Sequence, residues 1–508
     1  MLRLFSGYPF YLLGGDQCTF LELARTFPKH QLFNHELYLI HSPVFGYAIA
    51  LFHVVLPLLA SGLVAVLLFA CLNFFAVRAL GNFENLPKSA ILAGLIYLAI
   101  SRPGVTYDYH VARVSIMVCS NAVALLAFLR MLQKPERKML LIAAAANAFA
   151  LLVSDQGLML MPCEALLFLA HRPRPWKTVP LLAASGAVAG LVWPVVRLIE
   201  FSKRSDLPAG ISGTVEFTRN FPWSALLQPN YLPFTNAHRS IFTQTSLSLR
   251  NLKLTLLADL PTDLLLIPRW ISALLVLLLI GAAIAQPGRR GRALVWLALS
   301  VMFLLPVGMG MNEWYGMGFI VPFALLMMEG AAALPARGEK AAAIALPAAC
   351  VLAAVLWLMA DPPENPNFFA PRGGAHFLFT RSPVTRGSAI AQFFDSMPPD
   401  TGIMAPTDLS PEIVYLTGKR VIAVPFDPDL LDKLIDEYHI SYIVTSNEFL
   451  HKYNVPVADR YTSSLVNRYI VQHPEKYHPV RAIRQDYPQF YPAFEYYVFQ
   501  TGVSYTHP

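Results

Sequence analysis

The sequence predicts a polytopic α-helical membrane protein that ends in an α/β domain outside the membrane. Its 508 residues are 55% hydrophobic and only 14% charged, whereas a typical soluble domain is about 25% charged. The apolar residues are also concentrated in blocks, and a membrane helix needs about 20 such residues. After residue 361 the composition changes, and short apolar segments alternate with turn-forming residues.

The apolar blocks predict about ten or eleven transmembrane helices. Residues 1–15 are a candidate for the eleventh helix, but the segment is short and is interrupted by Pro9 and three glycines. The other ten predicted spans are 62–80, 89–102, 113–131, 138–153, 157–171, 177–198, 266–286, 293–309, 317–335 and 341–360.

The charge of the connecting segments predicts the orientation. Connections 130–138, 171–177, 287–292 and 335–340 are basic, whereas connections 104–110, 154–157 and 310–316 contain no Lys or Arg. Basic connections stay in the cytoplasm, so loops 16–60 and 199–265 and the tail are expected outside a bacterial inner membrane, in the periplasm. The net charge of +7 then reflects cytoplasmic loops and indicates no nucleic-acid partner.

The tail predicts a linker at 361–375 and a periplasmic α/β domain at 376–508. Helix-like segments 388–397, 410–418 and 428–439 alternate with strand-like segments 401–406, 420–425 and 441–446. Such alternation favours a mainly parallel sheet. Gly418 is expected to close the second of these helices.

The five cysteines are scattered and mostly lie inside apolar runs. An odd count without regular spacing argues against a disulfide framework and against a zinc cluster. They are predicted to be small buried side chains.

Asp16 directly precedes an amphipathic segment in which Phe20, Leu23, Ala24 and Phe27 recur at helical spacing. We expect this helix to lie in the membrane interface with its polar face outward. Asp16 occupies the N-cap position, where a carboxylate caps the helix or serves as a general base.

Two outer loops carry further ionisable groups. Glu36 and His41 are either interfacial side chains or part of a site, because ionisable groups near lipid are costly. Asp108 either pairs with Arg113 at the start of a helix or binds a metal or a cationic or hydroxylated substrate. His110 lies close to Asp108 in the sequence, and these two residues are the candidate metal ligands. The sequence is compatible with a reaction that uses a divalent metal ion and with one that does not.

The remaining candidates lie in two further outer loops. Glu313 and Tyr315 flank Trp314, and the aromatic residues either anchor the chain in the interface or stack on a sugar ring. The long loop 199–265 is unexpectedly basic for an outer loop, which indicates either an ordinary surface or capture of a lipid phosphate. Its candidate phosphate ligands are Arg219, Arg239, Arg250 and Lys253.

Together these segments resemble the GT-C fold glycosyltransferases. "GGDQCTFLELART" followed by "HSPVFGYAIALFHVV" resembles their first periplasmic loop, with the protein O-mannosyltransferases and lipid A aminoarabinose transferases nearest in pattern. "NEWYGMGFIVPFALLMMEGAAAL" resembles one of their helix starts, with Tyr315 and Pro322 in register. The tail is similar to the periplasmic α/β domain of many bacterial members.

The resemblance implies a catalytic domain over residues 1–360 and an inverting transfer of sugar from a polyprenyl-phosphate donor. Asp16 would be the base, Asp108 a second acidic residue, and Glu36 and His41 would line the same cavity. The acceptor would be a glycan, a lipid or a protein at the outer face of the membrane. The "WWD" signature of oligosaccharyltransferases is absent, which disfavours transfer of an oligosaccharide to Asn.

Two alternatives belong to other classes of protein. One is a transporter or flippase of a lipid-linked substrate, although the sequence shows neither the repeats nor the midplane charges typical of transporters. The other is a non-catalytic membrane scaffold whose tail binds a partner. Mutation of Asp16 separates them, since only an enzyme would lose turnover while keeping its fold.

Overall fold

The computed structural model describes eleven stretches of the chain, together with Leu265 and a few positions between 345 and 352: 15–27, 42–101, 113–171, 174–203, 269–308, 313–334, 388–406, 409–424, 428–446, 469–485 and 494–502. They belong to two compact units. A helical unit is drawn mainly from Gly62–Val192 and Phe242–Arg381, and a second unit is drawn from Phe10–Ser61, Trp193–Ile241 and Ser382–Pro508.

Eleven helices precede the α/β part of the chain among the described residues. The first two belong to the second unit and are α1 (Gly15–Thr26) and α2 (Val44–His53). The remaining helices of the membrane region are α3 (Leu58–Phe83), α4 (Lys88–Ile100), α5 (Val114–Gln133), α6 (Arg137–Val153), α7 (Leu160–Ala170), α8 (Val179–Lys203), α9 (Arg269–Ala285), α10 (Pro287–Gly308) and α11 (Ile320–Ala333). Short 3-10 segments precede α7, α8 and α11, at Asp155–Met159, Trp176–Thr178 and Glu313–Phe319.

The predicted helices between 62 and 335 are confirmed, since each apolar block coincides with one of α3–α11. Among the described residues, three helical segments are long and apolar enough to cross a membrane: Leu58–Phe83, Val114–Gln133 and Gly316–Ala333. The predicted span 341–360 lies almost entirely outside the described residues, as do residues 1–14.

Helices α3 and α9 expose large apolar side chains along one face. The most exposed is Trp270, at 86%. The others recur three and four residues apart: Val64, Leu68, Leu72 and Phe75 on α3, and Leu274, Leu277 and Leu278 on α9. Exposed apolar surface of this kind is typical of contact with a membrane or with another protein, and we expect these faces to contact lipid.

A buried ion cluster joins α10 to α11 at the end of the helical unit that carries the basic connections, here called the basic end. Glu329 of α11 is fully buried. Arg289 Nη1 donates to its Oε2 at 2.8 Å, and Arg292 Nε lies 2.9 Å from its Oε1. A buried carboxylate is tolerated only when it is paired, so these arginines neutralise Glu329 where the two helices meet.

Gly330 allows α9 and α11 to approach closely. A Cβ at this position would lie 2.4 Å from the carbonyl oxygen of Leu279, whereas a Cβ at Gly281 of α9 would meet no atom within 4 Å.

We therefore expect Gly330→Ala to destabilise the helical unit by about 1–3 kcal/mol, the usual cost of overpacking. Gly281→Ala is the matched control, and it should stabilise by up to about 1 kcal/mol through helix propensity. Thermal unfolding of both variants in detergent measures the difference. Equal unfolding temperatures for the two would contradict the close approach.

The second unit contains a five-stranded sheet with helices on both faces. Its elements are α12 (Ser388–Asp395), β1 (Gly402–Ala405), α13 (Ser410–Thr417), β2 (Val421–Ala423), α14 (Pro428–Tyr438), β3 (Ile440–Ser446), β4 (Tyr477–Gln485) and β5 (Phe494–Thr501). The strand order is β2-β1-β3-β5-β4. Helices α12 and α13 pack on one face, and α14 packs on the other.

The prediction of a mainly parallel sheet is wrong. The three predicted strands pair in parallel, β1 with β2 and with β3. However, β5 pairs antiparallel with both β3 and β4, so the sheet is mixed. Strands β4 and β5 follow each other directly, and an antiparallel pair needs no crossover helix. Gly418 does close α13, in the left-handed conformation at φ 68°.

The prediction that α1 exposes a polar face is also wrong. All residues from Cys18 to Ala24 are buried, and these include Thr19 and Glu22. Helix α2 covers one side, where the rings of Phe20 and Phe45 pack edge to face at 5.2 Å. Helix α13 packs against another side. Partners within the second unit therefore surround the helix, which the amphipathic spacing alone did not indicate.

Candidate active site

The end of the helical unit opposite the basic end carries the described candidate site residues of that unit and is here called the site end. The end of α4 meets the start of α11, where the rings of Tyr97 and Phe323 lie 5.5 Å apart. Just after α4, Ser101 forms an antiparallel backbone bridge with Leu265, and both residues are buried. The bridge joins the residue that follows α4 to Leu265.

The 3-10 segment Glu313–Phe319 packs on α5 and α10 at the site end. A Cβ on Gly318 would lie 2.4 Å from Phe303 Cδ1 and 3.1 Å from Asn121 Nδ2. Only glycine fits there without a shift of its neighbours, so the backbone of the segment lies directly against both helices. This contact holds the segment that carries Glu313 and Tyr315.

Two buried polar side chains of α5 and its N-cap have unused hydrogen-bonding capacity. Arg113, the N-cap of α5, is 8% exposed, and its Nη1 has no hydrogen-bond partner among the described residues. Asn121 is 1% exposed, and within the same part of the chain neither Oδ1 nor Nδ2 is partnered. Buried polar groups are nearly always hydrogen-bonded, and a guanidinium suits phosphate and carboxylate oxygens. Arg113 and Asn121 are therefore candidate ligands for an anion and for a polar group.

Asp16 is the second residue of α1, so it lies in the first turn and not at the predicted N-cap position. A carboxylate there is favoured by the helix dipole. The buried packing of residues 18–24 holds the backbone of this helix within the second unit. The catalytic role of Asp16 stays a prediction.

The structure describes the backbone of three predicted site residues. Asp16 lies in α1, and Glu313 and Tyr315 lie in the 3-10 segment at the site end. The other predicted site residues lie outside the described residues: Glu36, His41, Asp108, His110, Arg219, Arg239, Arg250 and Lys253. Their assignments stay predictions.

Sequence reasoning treated Arg113 only as an ion-pair partner of Asp108 and did not select Asn121. The sequence did contain a signal for Asn121. A polar amide inside an apolar membrane helix is costly, so its presence there often indicates a functional role. Its proximity to Gly318 depends on residues that are far apart in the chain.

No group of three or more His, Cys, Asp or Glu side chains in the described part of the chain could hold a metal ion. The candidate ligands Asp108 and His110 lie outside that part, so metal dependence is left to experiment.

No protein-family model matches this chain, and no curated protein matches it. Solved structures do. ArnT from Cupriavidus metallidurans bound to undecaprenyl phosphate shares 13% identity with a TM-score of 0.58, over 100% of this chain and 97% of that chain. The Archaeoglobus fulgidus oligosaccharyltransferase tethered to an acceptor peptide shares 11% identity with a TM-score of 0.52, over 99% of this chain and 73% of that chain.

At 11% and 13% identity these likenesses establish the fold alone. They extend over nearly the whole chain. The protein therefore has the fold of the GT-C glycosyltransferases.

Proposed function

We propose that this protein is an inverting glycosyltransferase that moves a sugar from a polyprenyl-phosphate donor to an acceptor at the outer face of the bacterial inner membrane. One observation carries the proposal: the fold matches, from end to end, a protein solved with undecaprenyl phosphate bound. The apolar faces of α3 and α9 are consistent with a substrate that is itself a membrane lipid.

The proposed reaction is a single displacement. The acceptor hydroxyl attacks the anomeric carbon while Asp16 removes its proton, and the bond between that carbon and the phosphate oxygen breaks. The products are the glycosylated acceptor with inverted configuration and free polyprenyl phosphate. A positioned carboxylate is a suitable base for this proton transfer.

The leaving phosphate needs a cation to balance its charge. Arg113 is the best described candidate, because its buried guanidinium has an Nη1 without a partner in the described part of the chain. The basic residues of loop 199–265 remain proposed partners of the same phosphate. Asn121 offers an amide to a hydroxyl or phosphate oxygen.

The proposed organisation follows from this reaction. Residues 1–360 form the catalytic membrane domain, 361–375 form a linker, and 376–508 form a periplasmic α/β domain. The basic end would face the cytoplasm, so the site end would open to the periplasm. The acceptor is a glycan, a lipid or a protein.

The experiment uses membrane vesicles from source cells that lack the protein, since these hold both donor and acceptor. Purified wild-type protein is added, and mass spectrometry follows lipid-linked sugars and free polyprenyl phosphate. A transferase consumes the former and releases the latter. A flippase would move lipid-linked sugar between leaflets without consuming it, and that result would reject the proposal.

Arg113→Gln is expected to weaken binding of undecaprenyl phosphate to the purified protein by about tenfold or more, the value of a charge-assisted hydrogen bond. Arg130→Gln is the matched control, because Arg130 lies exposed at the basic end of the same helix. Native mass spectrometry of lipid binding distinguishes them, and thermal unfolding verifies the fold. If Arg113→Gln and Arg130→Gln bound undecaprenyl phosphate with equal affinity, Arg113 would not be a ligand of the phosphate.

A further inference from the structure

Helix α1 is enclosed within the second unit by helices from distant parts of the chain. Every residue from Cys18 to Ala24 is at most 4% exposed. On the side covered by α2, Gly46 leaves room for Leu23, since a Cβ there would lie 2.2 Å from Leu23 Cδ2. The contact with α13 brings in a helix almost 400 residues later in the sequence.

Helix α13 is rigidly attached to the sheet of the same unit. Ser410 Oγ lies 3.0 Å from the carbonyl oxygens of both Ala405 and Pro406 and donates its proton to one of them at a time. Ile413 and Val414 are buried in the hydrophobic core with β1. The helix can therefore transmit the position of the sheet to whatever packs on its other side.

Helix α13 packs against α1 within the second unit, and Tyr415 of α13 is close to ionisable residues of α1. The pKa of Tyr415 is raised by its burial. Cys18 and Glu22 raise the same pKa further and Arg25 lowers it, so these three side chains of α1 lie within electrostatic range of the Tyr415 hydroxyl. Arg25 Nη2 donates to Glu22 Oε1 at 2.6 Å. Glu22 is 4% exposed, and Arg25 partly offsets the cost of burying its charge by pairing with one of the two carboxylate oxygens.

We propose that the α/β domain positions the general base: α13, through Tyr415 and the Glu22–Arg25 pair, holds α1 and thereby the backbone of Asp16. The inference rests on the proposed function for the role of Asp16. The contact itself depends only on the second unit. Tyr415, Glu22 and Arg25 are positioning residues, since they act through the helix that carries the base.

The test uses the full-length protein and the variant Tyr415→Ala. Hydrogen exchange followed by mass spectrometry should show faster exchange in the peptide covering 15–26, because removal of the ring releases α1. The peptide covering β1 should remain protected, which shows that the domain stays folded. Leu416→Ala is the matched control, since Leu416 lies next in the same helix and is 39% exposed. Tyr415→Phe keeps the ring and should restore the slow exchange.

Turnover and binding separate positioning from general damage. Release of polyprenyl phosphate in the vesicle assay should fall on the order of 10²-fold in Tyr415→Ala, the effect of a misplaced catalytic group. Binding of undecaprenyl phosphate, used as the probe, should be unchanged. Tyr415→Phe and Leu416→Ala should turn over at the wild-type rate.

Wild-type exchange in 15–26 of Tyr415→Ala would overturn the inference, and so would an equal loss of lipid binding and turnover. If wild-type protein released no polyprenyl phosphate, the proposed function would fail. The exchange measurement would then still decide whether α13 holds α1.

Discussion

Asp16→Asn is expected to reduce release of polyprenyl phosphate by roughly 10²–10⁴-fold, the usual contribution of a general base. Asparagine has the same size and remains in the first turn of α1, but its amide cannot accept a proton from the acceptor hydroxyl. The vesicle assay measures the rate, and mass spectrometry of cell-envelope glycans should show loss of the transferred sugar in cells that carry only the variant.

Three controls make this result specific to the base. Asp395→Asn removes an exposed carboxylate at the end of α12 and should have the wild-type rate. Asp16→Asn itself should bind undecaprenyl phosphate and unfold at the wild-type temperature, which shows that only the chemistry is lost. Asp16→Glu should recover part of the rate. A wild-type rate in Asp16→Asn would move the base to another residue, with Asp108 the first to examine.

Arg289→Leu is expected to destabilise the helical unit by about 3–5 kcal/mol, the typical cost of removing one partner from a buried ion pair. Glu329 is fully buried, and the Arg289 side chain is 19% exposed, whereas that of Arg292 is 43% exposed. Loss of Arg289 therefore leaves the carboxylate with the more solvated of its two partners. Thermal unfolding in detergent should show a marked drop in the midpoint.

The neighbouring arginine is the matched control. Arg290 is exposed and donates to the carbonyl oxygen of Ile284, so Arg290→Leu should have little effect. Replacement of Glu329 and Arg289 together by leucine should recover most of the lost stability, because the buried carboxylate is removed with its partner, while Arg292 remains close to Glu84. If Arg289→Leu and Arg290→Leu unfolded at the same temperature, the buried pair would not be stabilising the contact between α10 and α11.

Much of the helical unit was predictable because each of its helices corresponds to a continuous apolar block in the sequence. In a bilayer a helix must satisfy its backbone internally and present apolar side chains to lipid, so span and composition are local properties. The blocks that became α3–α11 could therefore be found without knowing their neighbours. Strands β1–β3 were found for a related reason, since each is a short apolar run bounded by turn residues.

The pairing of the last two strands was not predictable in this way. The hydrophobic pattern of a strand does not specify its partner: β5 pairs with β3 and β4 pairs with β5, and the local sequence specifies neither contact. The sheet was consequently expected to be mainly parallel and is mixed.

The sequence by itself determined the class of the molecule, the positions of its membrane helices and the presence of a carboxylate at the start of α1. Only the tertiary structure decided that α1 is buried against α2 and α13, and that Asn121 lies against Gly318. Both are contacts between residues far apart in the chain. Periodicity reports which face of a helix is apolar, but burial depends on what packs against each face, and that is settled only when the distant helices meet.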